Sequence, residues 1–319
     1  DDSRRQIEDI RYFIRQKVDL LIVAANEGMA LTPVVEEAFD KGIPVIMVDR
    51  RILSDKYTAY IGADNYELGK AVGNYIAHRL KGRGKVVELS GLVGSTPAIE
   101  RHQGFMSAIS QYPDMTLLAS EDAGWLQQPA EAKMDSLLQR FPEIIQKSKI
   151  ITISGSVPRA GAFRAAGRRG REEEMIFVGI DALPGKGNGV ELVLDSVLDA
   201  TFIYPTEGDK VVQLAMDILE KKPFERETKL KTAVVDAVNA HVMELQTNHI
   251  GELDGKIETL NDRVGIYLSR VATQRIVLYG GLIILLLIVG LLIVVYKSLR
   301  SKNRLNRELS RQKEQLEEQ

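Results

Sequence analysis

The longest apolar stretch of the chain covers residues 276–296, IVLYGGLIILLLIVGLLIVVY, and contains no charged residue. At about 1.5 Å per residue, a helix of this length reaches about 31 Å, which matches the hydrocarbon core of a bilayer. Two arginines precede this run, whereas five basic residues crowd its far side: Lys297, Arg300, Lys302, Arg304 and Arg307. Because basic flanks stay in the cytoplasm, the pattern predicts one inner-membrane helix, a cytoplasmic C-terminus and a periplasmic N-terminal part.

The residues before this span alternate between short apolar runs and helical stretches such as 32–41 and 66–80. The apolar runs fall into two sets, at 19–25, 44–50, 60–64 and 85–91, and at 115–120, 149–154, 175–181 and 200–204. Continuous apolar runs of this length are typical of buried parallel strands. Their alternation with helices predicts an α/β fold with two lobes of similar build.

Polar and aromatic side chains follow several of these predicted strands. Open α/β sheets bind ligands beyond the carboxyl ends of their strands, where a carboxylate and a guanidinium together suit a hydroxyl-rich ligand. Each polar residue alone could equally be a helix cap or a surface ion pair, and the tryptophan could stack on a sugar ring or pack between the lobes. The predicted ligand-binding residues are Asp49, Arg50, Asp64, Asn65, Arg101, Trp125 and Asp181.

Between the two lobes and the apolar run, residues at alternating spacings of three and four form the most regular pattern in the chain. They are Met243, Gln246, Ile250, Leu253, Ile257, Leu260, Val264, Tyr267 and Val271. Such a heptad pattern predicts a coiled-coil stalk at 241–275 that pairs two copies, or an amphipathic helix lying on its own domain. Three glycines within it each cost about 1 kcal/mol relative to alanine. A similar pattern at Leu305, Leu309, Gln312 and Leu316 predicts a cytoplasmic signalling helix at 297–319.

Composition adds mainly exclusions. The chain has 42 basic and 44 acidic residues, so no charge excess indicates nucleic acid as a partner. The absence of cysteine is compatible with an exported protein that needs no disulfides. With four histidines, no HExxH, no GxSxG and no Walker lysine after GLVGST, the sequence predicts no catalytic residues, no metal site and no cofactor within this chain.

Four segments carry a family resemblance: DLLIVAANEGMALTPVVEEAFDKGIPVIMVDRR, IGADNYELGKAVGNYI, ELSGLVGSTPAIERHQGF and FVGIDALPGKGNGV. They resemble the type I periplasmic binding proteins of the ribose-binding and lac-repressor kind, over about residues 4–240. The resemblance implies two Rossmann-like lobes that close about a hinge on a monosaccharide, with Arg50, Arg101 and Asp181 in contact with the sugar.

Together with the span and the helix after it, the chain resembles the sensor region of Bacteroides-type hybrid two-component histidine kinases. This resemblance implies a sugar-binding domain at 1–240 that controls a kinase, which would itself use ATP and Mg²⁺ outside these residues. The alternative is a membrane-tethered sugar-binding protein that serves a transporter. In the first case the expected partners are a sugar, the membrane and a second copy of the chain.

Two departures from the family pattern stand out. The family's first strand, first helix and second strand are expected before DDSRRQIEDIRYFI, so one edge of the first lobe is expected to be missing. Gly155 and Ser156 stand where the family carries an Asn-Asp pair, inside an arginine- and glycine-rich segment at 155–171. Divergence toward another ligand and a pair of compensating frameshifts both explain that segment.

Overall fold

The computed structural model describes residues 2–141 and 156–317 and divides the chain into two compact units, residues 1–248 and 249–319. The predicted strand at 149–154 and the departure at Gly155 lie outside the described residues. The described strands are β1 (Leu21–Val23), β2 (Val45–Val48), β3 (Ala59–Ala63), β4 (Arg83–Ser90), β5 (Asp114–Asp122), β6 (Val178–Asp181), β7 (Ala200–Ile203), β8 (Glu227–Leu230) and β9 (Val234–Asp236). The described helices are α1 (Ser3–Gln16), α2 (Gly28–Asp40), α3 (Asn65–Arg79), α4 (Thr96–Ile109), α5 (Gln127–Arg140), α6 (Ser156–Gly167), α7 (Gly189–Leu194), α8 (Gly208–Leu219) and α9 (Ala240–Glu317).

The first lobe is a parallel sheet in the order β1-β2-β3-β8 with helices on both faces. Alternate residues of β2 point to opposite faces, so Val45 and Met47 join the core under α1 and α2, whereas Ile46 joins the core under α8. Within the described residues β1 pairs only with β2, and Ile22 on β1 is 50% exposed.

The second lobe contains the parallel pair β4-β5 and the three-stranded sheet β6-β7-β9, in which β9 runs antiparallel. Helices α3 and α4 cover one core, which includes Leu68, Val72 and Phe105. Gly69 allows the close approach of these two helices, because a Cβ at that position would collide with the backbone of Arg101. A second core contains residues of α5, α6 and α7 and also takes in Ala240 and Met243 at the start of α9.

Within the described residues of unit 1–248, the chain passes between the two lobes three times: from β3 to α3, from β7 to α8 and from β8 to β9. Short connections of this kind form a hinge. All predicted strands that fall on described residues are confirmed, as are the two α/β lobes. The sequence did not predict β8 and β9, because ETKL carries two charged residues and VVD has only three residues.

The unit at 249–319 consists, in its described part, of the continuation of α9. Within the described residues, α9 is the helix whose length and composition would allow it to cross a membrane. The predicted span at 276–296 lies inside it, and its large apolar side chains are exposed. This agrees with the predicted membrane helix.

Asp64 lies at the first hinge crossing, where it caps α3. Its carboxylate accepts hydrogen bonds from the backbone N–H of Glu67 (3.2 Å) and from Lys229 Nζ on β8 (2.9 Å). Burial acts to raise the pKa of Asp64, but the hydrogen bond from Lys229 and that from Glu67 outweigh burial, so the pKa lies below its ordinary value of 3.8. The aspartate that the sequence assigned to the ligand thus ties the two lobes together at the hinge.

Replacing Lys229 with methionine should therefore weaken the hinge in a pH-dependent way. A carboxyl group with a lowered pKa in the folded state adds stability above its unfolded pKa, and this stability is lost as the pH falls through the folded pKa. Urea unfolding of Lys229→Met should show lower stability than the wild type above about pH 5, with the difference shrinking toward pH 3. The matched control is Lys231→Met, which removes an exposed lysine two residues away. A constant difference across this range would contradict the pairing.

Candidate ligand site between the lobes

The candidate site lies at the carboxyl ends of the parallel strands, where the two lobes face each other. Asn26, Asp49 and Asn65 follow β1, β2 and β3 in the first lobe, and Tyr204 follows β7 in the second. Parallel pairing places these strand ends along one edge of each sheet. The side chains after them converge because the hinge brings the two edges together.

A buried chain of hydrogen bonds begins at Arg101 on α4. Its Nε donates to Oδ1 of Asn65 at 2.8 Å, and both residues are almost fully buried, at 6% and 1% exposed. The amide nitrogen of Asn65 donates in turn to the hydroxyl oxygen of Tyr204 and to the carbonyl oxygen of Ala63, each at 3.3 Å. The guanidinium carbon of Arg101 also lies 4.5 Å from the centroid of the Tyr204 ring. Arg101 is thus held by an amide on one side and an aromatic face on the other.

Tyr204 carries this chain into the first lobe by donating a hydrogen bond to Oδ1 of Asp49. Burial raises the pKa of the Tyr204 phenol; Arg101 acts to lower it, and the nearby carboxylate of Asp49 raises it further. The hydroxyl therefore keeps its proton and can donate. Asp49 has a left-handed backbone, with φ of 63°, and its carbonyl oxygen accepts from Tyr60 Oη at 3.2 Å. The hydrogen bond from Tyr60 therefore holds the backbone of Asp49 in place.

Arg50 reaches across the same gap in another direction. Its Nη1 lies 3.3 Å from the carbonyl oxygen and 3.5 Å from Oδ1 of Asn26, and its Nε lies 3.7 Å from the Asp49 carboxylate. Its guanidinium carbon is 4.9 Å from the centroid of the Trp125 ring in the second lobe. The Trp125 ring packs on Gly91, where any Cβ would collide with it. Two contacts therefore bridge the lobes: the cation–π contact between Arg50 and Trp125, and the hydrogen bond between Tyr204 and Asp49.

The structure brings five of the seven predicted residues into one network: Asp49, Arg50, Asn65, Arg101 and Trp125. Asp64 lies at the hinge instead, where it caps a helix and binds Lys229. Asp181 ends β6 with φ of 93° and pairs in register with Ile203, the residue before Tyr204. The roles of Asp64 and Asp181 in binding a ligand stay a prediction.

Two members of the network were missed by sequence reasoning, Asn26 and Tyr204. Both follow the rule that found the others, since Asn26 comes directly after DLLIVAA and Tyr204 ends ATFIY. The strand-end rule therefore covers Asn26 and Tyr204 as well, although neither was among the seven predicted residues.

The arrangement suits a small ring with many hydroxyl groups. Asp49 supplies acceptors, Arg50 and Arg101 supply fork-shaped donors, and the Tyr204 and Trp125 rings supply apolar faces. A cavity of about 350 Å³ opens beside Asp49 and Arg50 and is also lined by Asp2, Arg5, Gln6, Asp9, Ala24 and Asn26. All eight lining residues belong to the first lobe, so this cavity adjoins the network on its first-lobe side.

The described ranges 2–141 and 156–317 contain no group of side chains that could hold a metal ion. No cluster of three or more potential ligands among His, Cys, Asp and Glu occurs there. The His102 ring nitrogen Nδ1 lies 2.5 Å from the buried carboxylate of Glu88, which also accepts from Ser120 Oγ at 2.7 Å. We interpret His102 and Ser120 as the hydrogen-bond partners that the buried carboxylate of Glu88 requires.

Known proteins of similar sequence and structure indicate the family of this chain. A solved structure, the fructose binding periplasmic domain of hybrid two component system BT1754, is 66% identical, with a TM-score of 0.79 over 82% of this chain and 86% of that one. The ribose import binding protein RbsB of Bacillus subtilis is 27% identical over 227 residues, 70% of this chain and 71% of that protein. The xylitol-binding protein of Mycolicibacterium smegmatis is 26% identical over 265 residues, 81% of this chain and 73% of that protein.

The fold is shared more widely than the sequence. The structure of a galactofuranose binding protein superposes with a TM-score of 0.70 at 23% identity, over 78% of this chain and 86% of that one. The family model described as a periplasmic binding protein domain matches residues 1–223. Given that match, the two lobes and the three hinge crossings, the chain belongs to the periplasmic binding proteins and has their type I fold.

Proposed function

We propose that this chain is the ligand-sensing and transmembrane part of a two-component sensor and that its cleft binds a monosaccharide. The observation that carries the proposal is the buried network from Arg101 through Asn65 and Tyr204 to Asp49, which joins both lobes at the strand ends. A sugar in this cleft would contact both lobes at once, so its binding would favour the closed arrangement.

Fructose is the first candidate ligand. The solved neighbour that shares 66% of its residues with this chain is described as fructose binding. More distant relatives are described as binding ribose or xylitol, which are also small polyhydroxy compounds. A small polyhydroxy compound is therefore the class common to all three, and a monosaccharide is the form named for two of them.

The route to the membrane would run through α9. The proposed parts are the binding domain at 1–240, a stalk at 241–275, an inner-membrane helix at 276–296 and a cytoplasmic helix at 297–319. Ala240 is fully buried and Met243 packs on the second-lobe core, so the helix start moves with that lobe. The helix would pass this movement to a histidine kinase that uses ATP and Mg²⁺.

A second copy of the chain is the proposed partner of the stalk. Its heptad side chains from Ile250 onward are 43–69% exposed: Ile250, Leu253, Ile257, Leu260, Val264, Tyr267 and Val271. A continuous apolar line at heptad spacing favours pairing of two helices along it. The glycines at 251, 255 and 265 weaken this helix and would leave it responsive to small movements.

A second candidate function is a membrane-tethered binding protein that delivers sugar to a transporter. It is supported by the relatives described as import binding proteins, RbsB among them. The gene sequence beyond the codon of Gln319 separates the two candidates, because a sensor continues into a kinase and a tether does not.

Fructose binding to the full chain in nanodiscs tests the sugar assignment. Titration calorimetry should show saturable binding by the wild type, and Arg101→Met should weaken it by roughly 10-fold or more, because charged hydrogen bonds contribute about 1.5–3 kcal/mol. The control is Arg83→Met, whose side chain is 82% exposed and should bind like the wild type. If the wild type binds none of fructose, ribose or xylitol, the sugar assignment is wrong.

Disulfide cross-linking tests the paired stalk. The chain has no cysteine, so single cysteines can be introduced without background. Oxidation in membranes should link most copies of Leu253→Cys and Ile257→Cys across the dimer, and few copies of the off-line controls Glu252→Cys and Lys256→Cys. Equal cross-linking at all four positions would contradict a specific helix pair.

A further inference from the structure

The two lobes also touch at a place outside the proposed sugar contacts. The backbone N–H of Arg51, which follows β2 in the first lobe, donates to Oγ1 of Thr96 at the start of α4 in the second lobe, at 2.9 Å. Thr96 is 8% exposed. The contact therefore excludes most water and joins a strand-end loop of one lobe to a helix start of the other.

Both sides of this contact are held firmly by their own lobes. The Arg51 guanidinium lies 2.8 Å from the Glu227 carboxylate and 3.6 Å from the Tyr60 ring centroid, and its Nη1 lies 3.3 Å from Tyr57 Oη. On the other side, Ser95 is 1% exposed and its hydroxyl donates to the carbonyl oxygen of Leu92 at 2.9 Å. Donor and acceptor are thus each fixed before the lobes meet, so little side-chain freedom is lost when they pair.

The surrounding backbone fits closely around this hydrogen bond. A Cβ on Gly28, the first residue of α2, would lie 2.8 Å from the Arg51 carbonyl oxygen and 3.4 Å from Cγ2 of Thr96. Glycine therefore lets α2 approach the Arg51 carbonyl oxygen at this distance, and the Thr96 methyl group packs beside it. Helix α2 and the Arg51 loop of the first lobe together form the surface on which Thr96 rests.

We propose that the hydrogen bond between Arg51 and Thr96 is a closure latch, which stabilises the closed arrangement of the lobes without touching the ligand. The inference rests on the proposed function, because closing matters only if the cleft binds a sugar. A contact made only when the lobes meet raises the closed fraction of the free protein. The apparent affinity then rises in proportion, since the ligand binds that fraction.

The experiment compares Thr96→Val with Thr32→Val in the full chain in nanodiscs. Thr32 makes bonds of the same kind entirely inside the first lobe: its Oγ1 accepts from the backbone N–H of Leu53 at 2.9 Å and donates to the Gly28 carbonyl oxygen at 2.7 Å. Thr96→Val should raise the dissociation constant for fructose about 2–10-fold, as the loss of one neutral hydrogen bond predicts. Thr32→Val should lower the melting temperature and leave the dissociation constant within about 2-fold of the wild type.

A second measurement decides the latch without any sugar. Spin labels on cysteines introduced at Lys41, just after α2, and at Gln111, just after α4, report the separation of the lobes. In the ligand-free chain, Thr96→Val should shift the distance distribution away from that of the wild type, and Thr32→Val should not. If Thr96→Val leaves both the distances and the affinity unchanged, the contact is a fixed part of the hinge and the inference is wrong. If the wild type binds no sugar, the proposed function fails, whereas the distances still decide the latch.

Discussion

The guanidinium of Arg101 is almost completely shielded from water, and its charge therefore needs partners inside the protein. Leaving it unpaired would cost several kcal/mol, since a buried charge loses its hydration without compensation. Its partners are the amide of Asn65 and the ring of Tyr204, and the Tyr204 hydroxyl is in turn bonded to Asn65 and to Asp49 of the other lobe. The need to satisfy one buried cation therefore couples the positions of four side chains and of both lobes.

This coupling makes the cleft a natural place for a ligand with many hydroxyl groups. Such a ligand suits a site where Arg101 and Arg50 supply donors and Asp49 supplies acceptors. The lobes then gain contacts through the ligand that water cannot supply with the same geometry. Because Ala240 and Met243 belong to the core of the second lobe, any rotation of that lobe turns the start of α9 with it. We propose that binding and signalling share this lobe.

Much of this architecture could be read from the sequence, because it follows from strong local patterns. Runs such as PVIMV have to be buried on both faces, and an uncharged run of the length of 276–296 fits a bilayer. The hinge strands β8 and β9 were not predicted because they have only four and three residues and are defined by pairing with β3 and β7. No local pattern encodes such distant partners.

The site, like the fold, was predicted in part from local sequence patterns and in part only seen in the structure. Position after the predicted strands singled out Asp49, Arg50, Asn65 and Arg101, which the structure joins in one network, but it could not tell a carboxylate in that network from one that caps a helix. Asp64 and Asn65 are neighbours, yet one caps α3 and binds Lys229 while the other binds Arg101. Lys229 is 165 residues away in the chain, so only the folded hinge reveals this difference.

The most direct test of a sugar-closed cleft uses Trp125, which is the single tryptophan of the chain and lies against Arg50 across the lobes. Its fluorescence should be measured in the full chain during titration with fructose, with raffinose, a trisaccharide too large to be enclosed, as the reference. A saturable change with fructose and none with raffinose is the result predicted by a monosaccharide that bridges the two lobes. An emission spectrum that stays the same at every concentration of fructose, ribose and xylitol would contradict it.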